Sequence, residues 1–138
     1  MDPKDQLLKK LNSLCPNTLM ETLQIEFVDV EDEMVVARMP VTNRVHQPDG
    51  VLHGGATVAL AESVGSAASH LFLGGQDVQV RGIEISANHL KSVKNGYVFA
   101  QATVIHKGRS TQLWQIRITD DQDRLISLVK LTTITLSN

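Results

Sequence analysis

Residues 46–66 read HQPDGVLHGGATVALAESVGS. Three kinds of group in this stretch can do chemistry. One is a carboxylate, Glu62, set in an otherwise apolar run. One is the pair Gly54 and Gly55 just before that run. The last is the side-chain pair Gln47 and His53 in the preceding loop. On a helix, residues three, four and seven apart share a side. Glu62, Ser66 and Ser69 therefore form one polar stripe beside Val58, Leu60, Val64, Ala67 and Leu71. A lone buried carboxylate is costly unless it is paired, hydrogen-bonded or protonated. Two readings follow. Glu62 faces solvent or pairs with a base, or it stands in a cleft as a general base or nucleophile.

The glycines add a second element. With no side chains, Gly54 and Gly55 let a ligand approach the backbone. The first N–H groups of a helix lack internal partners and lie at its positive end, which suits the oxygen of an acyl carbonyl. The pattern GxxxxGK[ST] of a phosphate loop is absent. Gly55 and Glu62 are seven residues apart, about 10 Å along a helix at ~1.5 Å per residue. An oxyanion donor and an attacking group must both lie ~3 Å from one reacting centre. One chain does not supply both, so the spacing predicts a site shared between two chains, with two sites per dimer.

Gln47 can donate to a carbonyl oxygen without carrying charge. His53 is a loop imidazole next to the helix start. His46 and His53 match no common zinc spacing, and the single cysteine, Cys15, offers no thiolate cluster, so no metal site is expected.

These groups need elements to hold them. The chain has 138 residues, enough for one domain over 1–138, with 42% hydrophobic and 20% charged residues and a net charge of -2. Neither a nucleic-acid partner nor a polybasic membrane patch is indicated. The apolar run 56–73 contains Glu62, three serines and His70, which favours a buried helix over a membrane span. The opening residues carry charges where a leader needs an apolar core, so a cytoplasmic location is the expectation. Leucine spacing predicts a short helix over 4–14, and residues 23–41 read as two strands around Glu31-Asp32-Glu33. A loop fills 41–54, and a helix runs 55–73 to the stop signal Gly74-Gly75. Four alternating segments follow, separated by turns at Asn95-Gly96, Gly108 and Asp120–Asp123. An antiparallel sheet curled around one helix, an α+β architecture, satisfies this order.

The segment HQPDGVLHGGATVALAESVGS resembles the signature of the hotdog-fold acyl-CoA thioesterases, in particular their aryl-CoA branch, and the similarity runs over nearly the whole chain. The resemblance implies a hotdog fold and hydrolysis of an acyl-CoA thioester. Glu62 would attack the thioester or activate water, the Gly55 N–H would polarise the carbonyl, Gln47 would assist, His53 would orient the loop, and Ser66 would hold water or the carboxylate. It also implies coenzyme A contacts in two segments. The first comprises Gly82 with His89, Leu90, Lys91 and Ser92. The second comprises His106, Lys107, Gly108, Arg109, Ser110 and Thr111. No cofactor is implied beyond the coenzyme A of the substrate. The partner would be a second copy, as a homodimer pairing further into a dimer of dimers. The chain departs from the pattern at Asp49, where many relatives carry an aromatic residue, and at Ser92, where many carry proline. With only 4% aromatic residues it shows no stacking platform for an aryl ring, and an aliphatic or broad acyl range stays open. The competing readings are a hotdog hydratase or dehydratase, whose Asp-plus-His pattern is not found, and a non-catalytic acyl-CoA-binding module.

Overall fold

A computed structural model describes residues 2–73 and 78–137. Asp2 caps the first helix, α1 (Pro3–Ser13), by accepting the Lys4 N–H at 2.8 Å. Pro3 occupies the first turn, where a missing N–H removes no helical bond. Leu11 is buried, with Leu7 and Leu8 packed beside it, as the leucine spacing predicts. Asn12 ties the helix to the sheet. Its Nδ2 donates to the Phe27 carbonyl at 3.0 Å and its Oδ1 accepts the Phe27 N–H at 2.8 Å. A one-turn helix, α2 (Leu19–Thr22), follows under a Thr18 cap. Four residues are too few to display a helical period, so the sequence did not announce it.

The strands are β1 (Glu26–Glu31) and β2 (Met34–Pro40), then, after the long helix α3 (Gly54–Leu73), β3 (Val78–His89), β4 (Tyr97–Lys107), β5 (Thr111–Thr119) and β6 (Leu125–Ser137). The alternation expected from Leu23 onward begins late. Leu23 closes α2, Gln24 takes a φ of 59°, and a bulge between Phe27 and Asp29 shifts the buried face to Val30. Loop 41–54 holds one short 3-10 turn, Asn43–Val45. The turns at Gly96 and at Asp120–Asp123 are as expected, with φ of 78° at Gly96 and 62° at Asp123. The stop signal Gly74-Gly75 lies outside the described residues.

All pairings are antiparallel, in the order β1-β2-β4-β5-β6-β3. The sheet wraps α3, which touches β2 to β6. The close fit comes from small residues: Ala37, Ala100 and Ala102 on the sheet, Ala61, Gly65 and Ala68 on the helix, all buried. A methyl group on Gly65 would stand 2.5 Å from Leu131 Cδ2. Trp114, Ile116, Ile118, Val129 and Leu131 fill the remaining core, each large aliphatic side chain contributing ~1.5–3 kcal/mol by leaving water.

This packing leaves two features for function. The α3 face bearing Ser63, Ser66, Ala67 and His70 is only partly covered by its own chain. The twelve-residue strand β3 is an edge, paired with β6 on one side and with no strand among the described residues on the other.

Candidate active site

The start of α3 has a complete account of its donors. The His53 N–H donates to the Val45 carbonyl at 2.8 Å, and the Ala56 and Thr57 N–H groups donate to the His53 carbonyl at 3.0 and 3.2 Å. The Gly55 N–H donates to His53 Nδ1 at 2.7 Å. Of the donors from His53 to Thr57, only that of Gly54 has no partner among the described residues. Gly55, the residue assigned from the sequence to a substrate carbonyl, is thus already engaged by its neighbour, and the open N–H lies one residue earlier.

The preceding loop is stitched in place. The Leu52 N–H donates to the Val93 carbonyl at 2.8 Å, and His46 Nε2 lies 2.8 Å from the Lys94 carbonyl. His46 and His53 therefore serve different backbone partners. Gln47 closes a turn on itself, with its N–H on the Val51 carbonyl at 2.8 Å and its Oε1 accepting the Asp49 N–H. With the amide oxygen taken, the carboxamide presents its NH2 group as the free donor.

Gln47, Gly54 and Thr57 line a cleft of about 280 Å³ with His89, Leu90, Lys91 and Ser92. Ser127 orients His89. Its hydroxyl donates to the Asn88 carbonyl at 3.0 Å and lies 3.0 Å from His89 Nδ1. Nε2 faces Gly54, where an added methyl would stand 2.9 Å away.

Glu62 stands elsewhere. Its Oε2 lies over Gly82 of β3, half-buried, with no hydrogen bond or ion pair among the described residues. The cost of a buried charge is avoided because the carboxylate still reaches water. The expected polar stripe divides. Ser66 is half-buried and its hydroxyl is unpartnered among the described residues, whereas Ser69 is fully buried. Ser69 Oγ donates to Gln112 Oε1 at 3.1 Å and meets Thr133 Oγ1 at 3.0 Å, and Thr133 donates to Gln112 at 2.8 Å. Ser69 is therefore part of the core's polar clasp. Ser66 and Ala67 border an apolar groove of about 390 Å³ walled by Leu11, Leu14, Leu19 and Met20.

Of the expected coenzyme A contacts, residues 89–92 and residues 106–111 lie at opposite ends of the sheet, and Gly82, grouped with the first by sequence, lies with the second. Lys107, Gln112, Thr133 and Gly82 form one cross-strand row, so the turn 106–111 sits at the Glu62 end. Ile118, Ser127 and His89 form another, at the Gly54 end. Gln112 and Ile118 are six residues apart along β5, about 20 Å at ~3.3 Å per residue. At the first end Lys107 pairs with Glu33, and Arg109 is exposed. Ser127 and Thr57 were not singled out from the sequence. A serine within a strand and a threonine in a helix's first turn carry no pattern that marks them.

A long helix gripped by a curved antiparallel sheet, with a glycine start and a mid-helix glutamate, defines an α+β hotdog protein. The thioesterase superfamily profile matches residues 49–127. The chain is 42% identical over 126 residues to the 1,4-dihydroxy-2-naphthoyl-CoA hydrolase of Escherichia coli, covering 91% of this chain and 92% of that protein. It is 44% identical over 127 residues to the proofreading thioesterase EntH of Cronobacter turicensis, covering 91% of each. It superimposes on the crystal structure of a Haemophilus influenzae thioesterase with a TM-score of 0.91 at 43% identity, covering 94% of this chain and 90% of that one. The chain belongs to the thioesterase superfamily. It is an enzyme, a thioester hydrolase. Among the described residues, no helix is long and apolar enough to cross a membrane.

Proposed function

We propose that the chain hydrolyses acyl-CoA thioesters at a site built from two copies of itself. The observation that carries this reading is the separation of the open Gly54 N–H from the unpaired Glu62 carboxylate. They are eight residues apart on one helix, about 12 Å at ~1.5 Å per residue. Antiparallel pairing of two β3 edges would bring the Gly54 end of one copy to the Glu62 end of the other. A complete site would then hold Gly54, Gln47 and residues 89–92 from one chain with Glu62, Ser66 and the turn 106–111 from its partner.

In that site the Gly54 N–H takes the role expected of Gly55, and with the Gln47 NH2 group it receives the thioester oxygen as charge develops there. His53 holds the loop through Gly55. Glu62 either takes a proton from a water beside Ser66, whose oxygen then bonds the carbonyl carbon, or bonds that carbon itself to give an anhydride that water then cleaves. The C–S bond breaks, the sulfur takes one proton of the water and leaves as the thiol of coenzyme A, and the acyl group keeps the water's oxygen and leaves as a carboxylate, the second proton passing to solvent. Lys91, Lys107 and Arg109 supply charge for the phosphates. The groove beside Ser66 and Ala67 takes the acyl group, and its aliphatic wall accepts chains as well as rings. The setting is cytoplasmic, with dimers pairing further into tetramers.

A thiol-release screen over aryl-, short- and long-chain acyl-CoAs tests this reading. Wild-type protein should release thiol, and Glu62→Gln should be slower by a factor of at least ~10³, as for removal of a nucleophile or its base. Thiol release by Glu62→Gln at the wild-type rate contradicts the mechanism. A protein that hydrates enoyl thioesters and releases no thiol would be a hotdog hydratase instead.

A further inference from the structure

Gly82 belongs to the inward-facing row Gly82–Thr133–Gln112, in which the other two side chains are buried. Its backbone does not require glycine, since φ is positive only at Gly50 and Gly96 among the described glycines. What requires it is space. A methyl group there would stand 2.6 Å from Glu62 Oε2 and 3.4 Å from Cδ, with Leu131 Cδ1 at 3.3 Å. The strand bulges immediately afterwards, between Gly82 and Glu84, and Ile83 is 56% exposed. Bulges of this kind re-aim a strand beside a functional group.

We infer that Gly82 is a positioning residue for the Glu62 carboxylate. The bare backbone of β3 is the floor on which the acid rests, and the width of that gap sets how far the carboxylate reaches along the edge strand. A side chain at Gly82 would push the far end of Glu62 away from its place. Because that end is flexible and half-exposed, the fold would absorb the change. The inference rests on the reading of Glu62 as the reacting acid and goes beyond it, since it assigns Gly82 to the acid and not to the substrate.

The test is Gly82→Ala, alone and with Glu62→Asp, in the full-length protein against an acyl-CoA that the wild type hydrolyses. Gly82→Ala should keep its melting temperature and KM while kcat falls ~100-fold, the effect of a displacement of about 1 Å at a reacting group. Glu62→Asp withdraws the carboxylate by about one bond, so the double variant should be at least ~5-fold faster than Gly82→Ala, although Glu62→Asp alone is slower than wild type. Unchanged kcat in Gly82→Ala, a change confined to KM, or no rescue by Glu62→Asp overturns the inference. Should Gly82→Ala fail to fold, Glu62→Ala in the same chain must restore folding, and failure to do so also overturns it. Glu62→Gln separates the two layers. If that variant is inactive while Gly82→Ala is normal, only the positioning role falls. If it is fully active, the assignment of Glu62 falls as well.

Discussion

His53 Nδ1 accepts the Gly55 N–H at 2.7 Å, and this bond decides which amide at the start of α3 is open. It also caps the helix's first turn with a side chain. His53→Ala should cost ~1 kcal/mol of stability, the usual scale of a lost cap, visible in a thermal melt. It should also lower kcat/KM by at least ~10-fold, because the bond that fixes the helix start around the open Gly54 amide is lost. A variant with normal kinetics would show that the bond serves the fold alone.

Lys91 lines the cleft with Gln47 and Gly54. If it meets a phosphate, its removal should weaken binding only of substrates that carry one. Lys91→Ala should raise KM for acyl-CoA several-fold and leave KM for the acyl-N-acetylcysteamine ester unchanged. Equal increases for both esters would place Lys91 at the acyl end or in the fold.

Asp120 closes the β5–β6 turn. The Arg124 N–H on its carboxylate, at 2.9 Å, holds its pKa below the ordinary value, with help from the guanidinium at 2.8 Å and the Gln122 N–H at 2.9 Å. The folded pKa is depressed, so this stabilisation is fully present above the unfolded aspartate value of about 3.9. It is lost as pH falls through the folded value. Asp120→Asn should therefore melt below wild type at pH 7, and the gap should close as pH falls below ~4. A gap that stays constant to acid pH would contradict the assignment.

Much of this was legible in the sequence because the signals were long. Twenty residues of α3 carry an unmistakable composition, and the alternation of Trp114, Ile116 and Ile118 matches their burial. The proposal of a split site needs only helical rise and the spacing of Gly54 and Glu62. What was not legible depended on single bonds or contacts across the sheet. Ser69 shares a helix side with Glu62, yet a clasp to Gln112 and Thr133, 43 and 64 residues away, takes it into the core. Gly54 and Gly55 are identical in sequence, and only the His53 ring distinguishes them. The late start of β1 came from the positive φ at Gln24, a residue type that gives no warning of it. Gly82 sits in an ordinary alternating strand, and its reason lies on α3.

In the proposed site Glu62 comes from one chain and Gln47 with Gly54 from another. Co-refolding Glu62→Gln chains with an equal amount of Gln47→Ala chains tests it most directly. Each parent should be nearly inactive. Half of the dimers in the mixture carry one chain of each kind, and in those dimers one of the two sites is intact. The mixture should therefore recover about a quarter of wild-type thiol release. Activity equal to the average of the two parents would contradict the shared site.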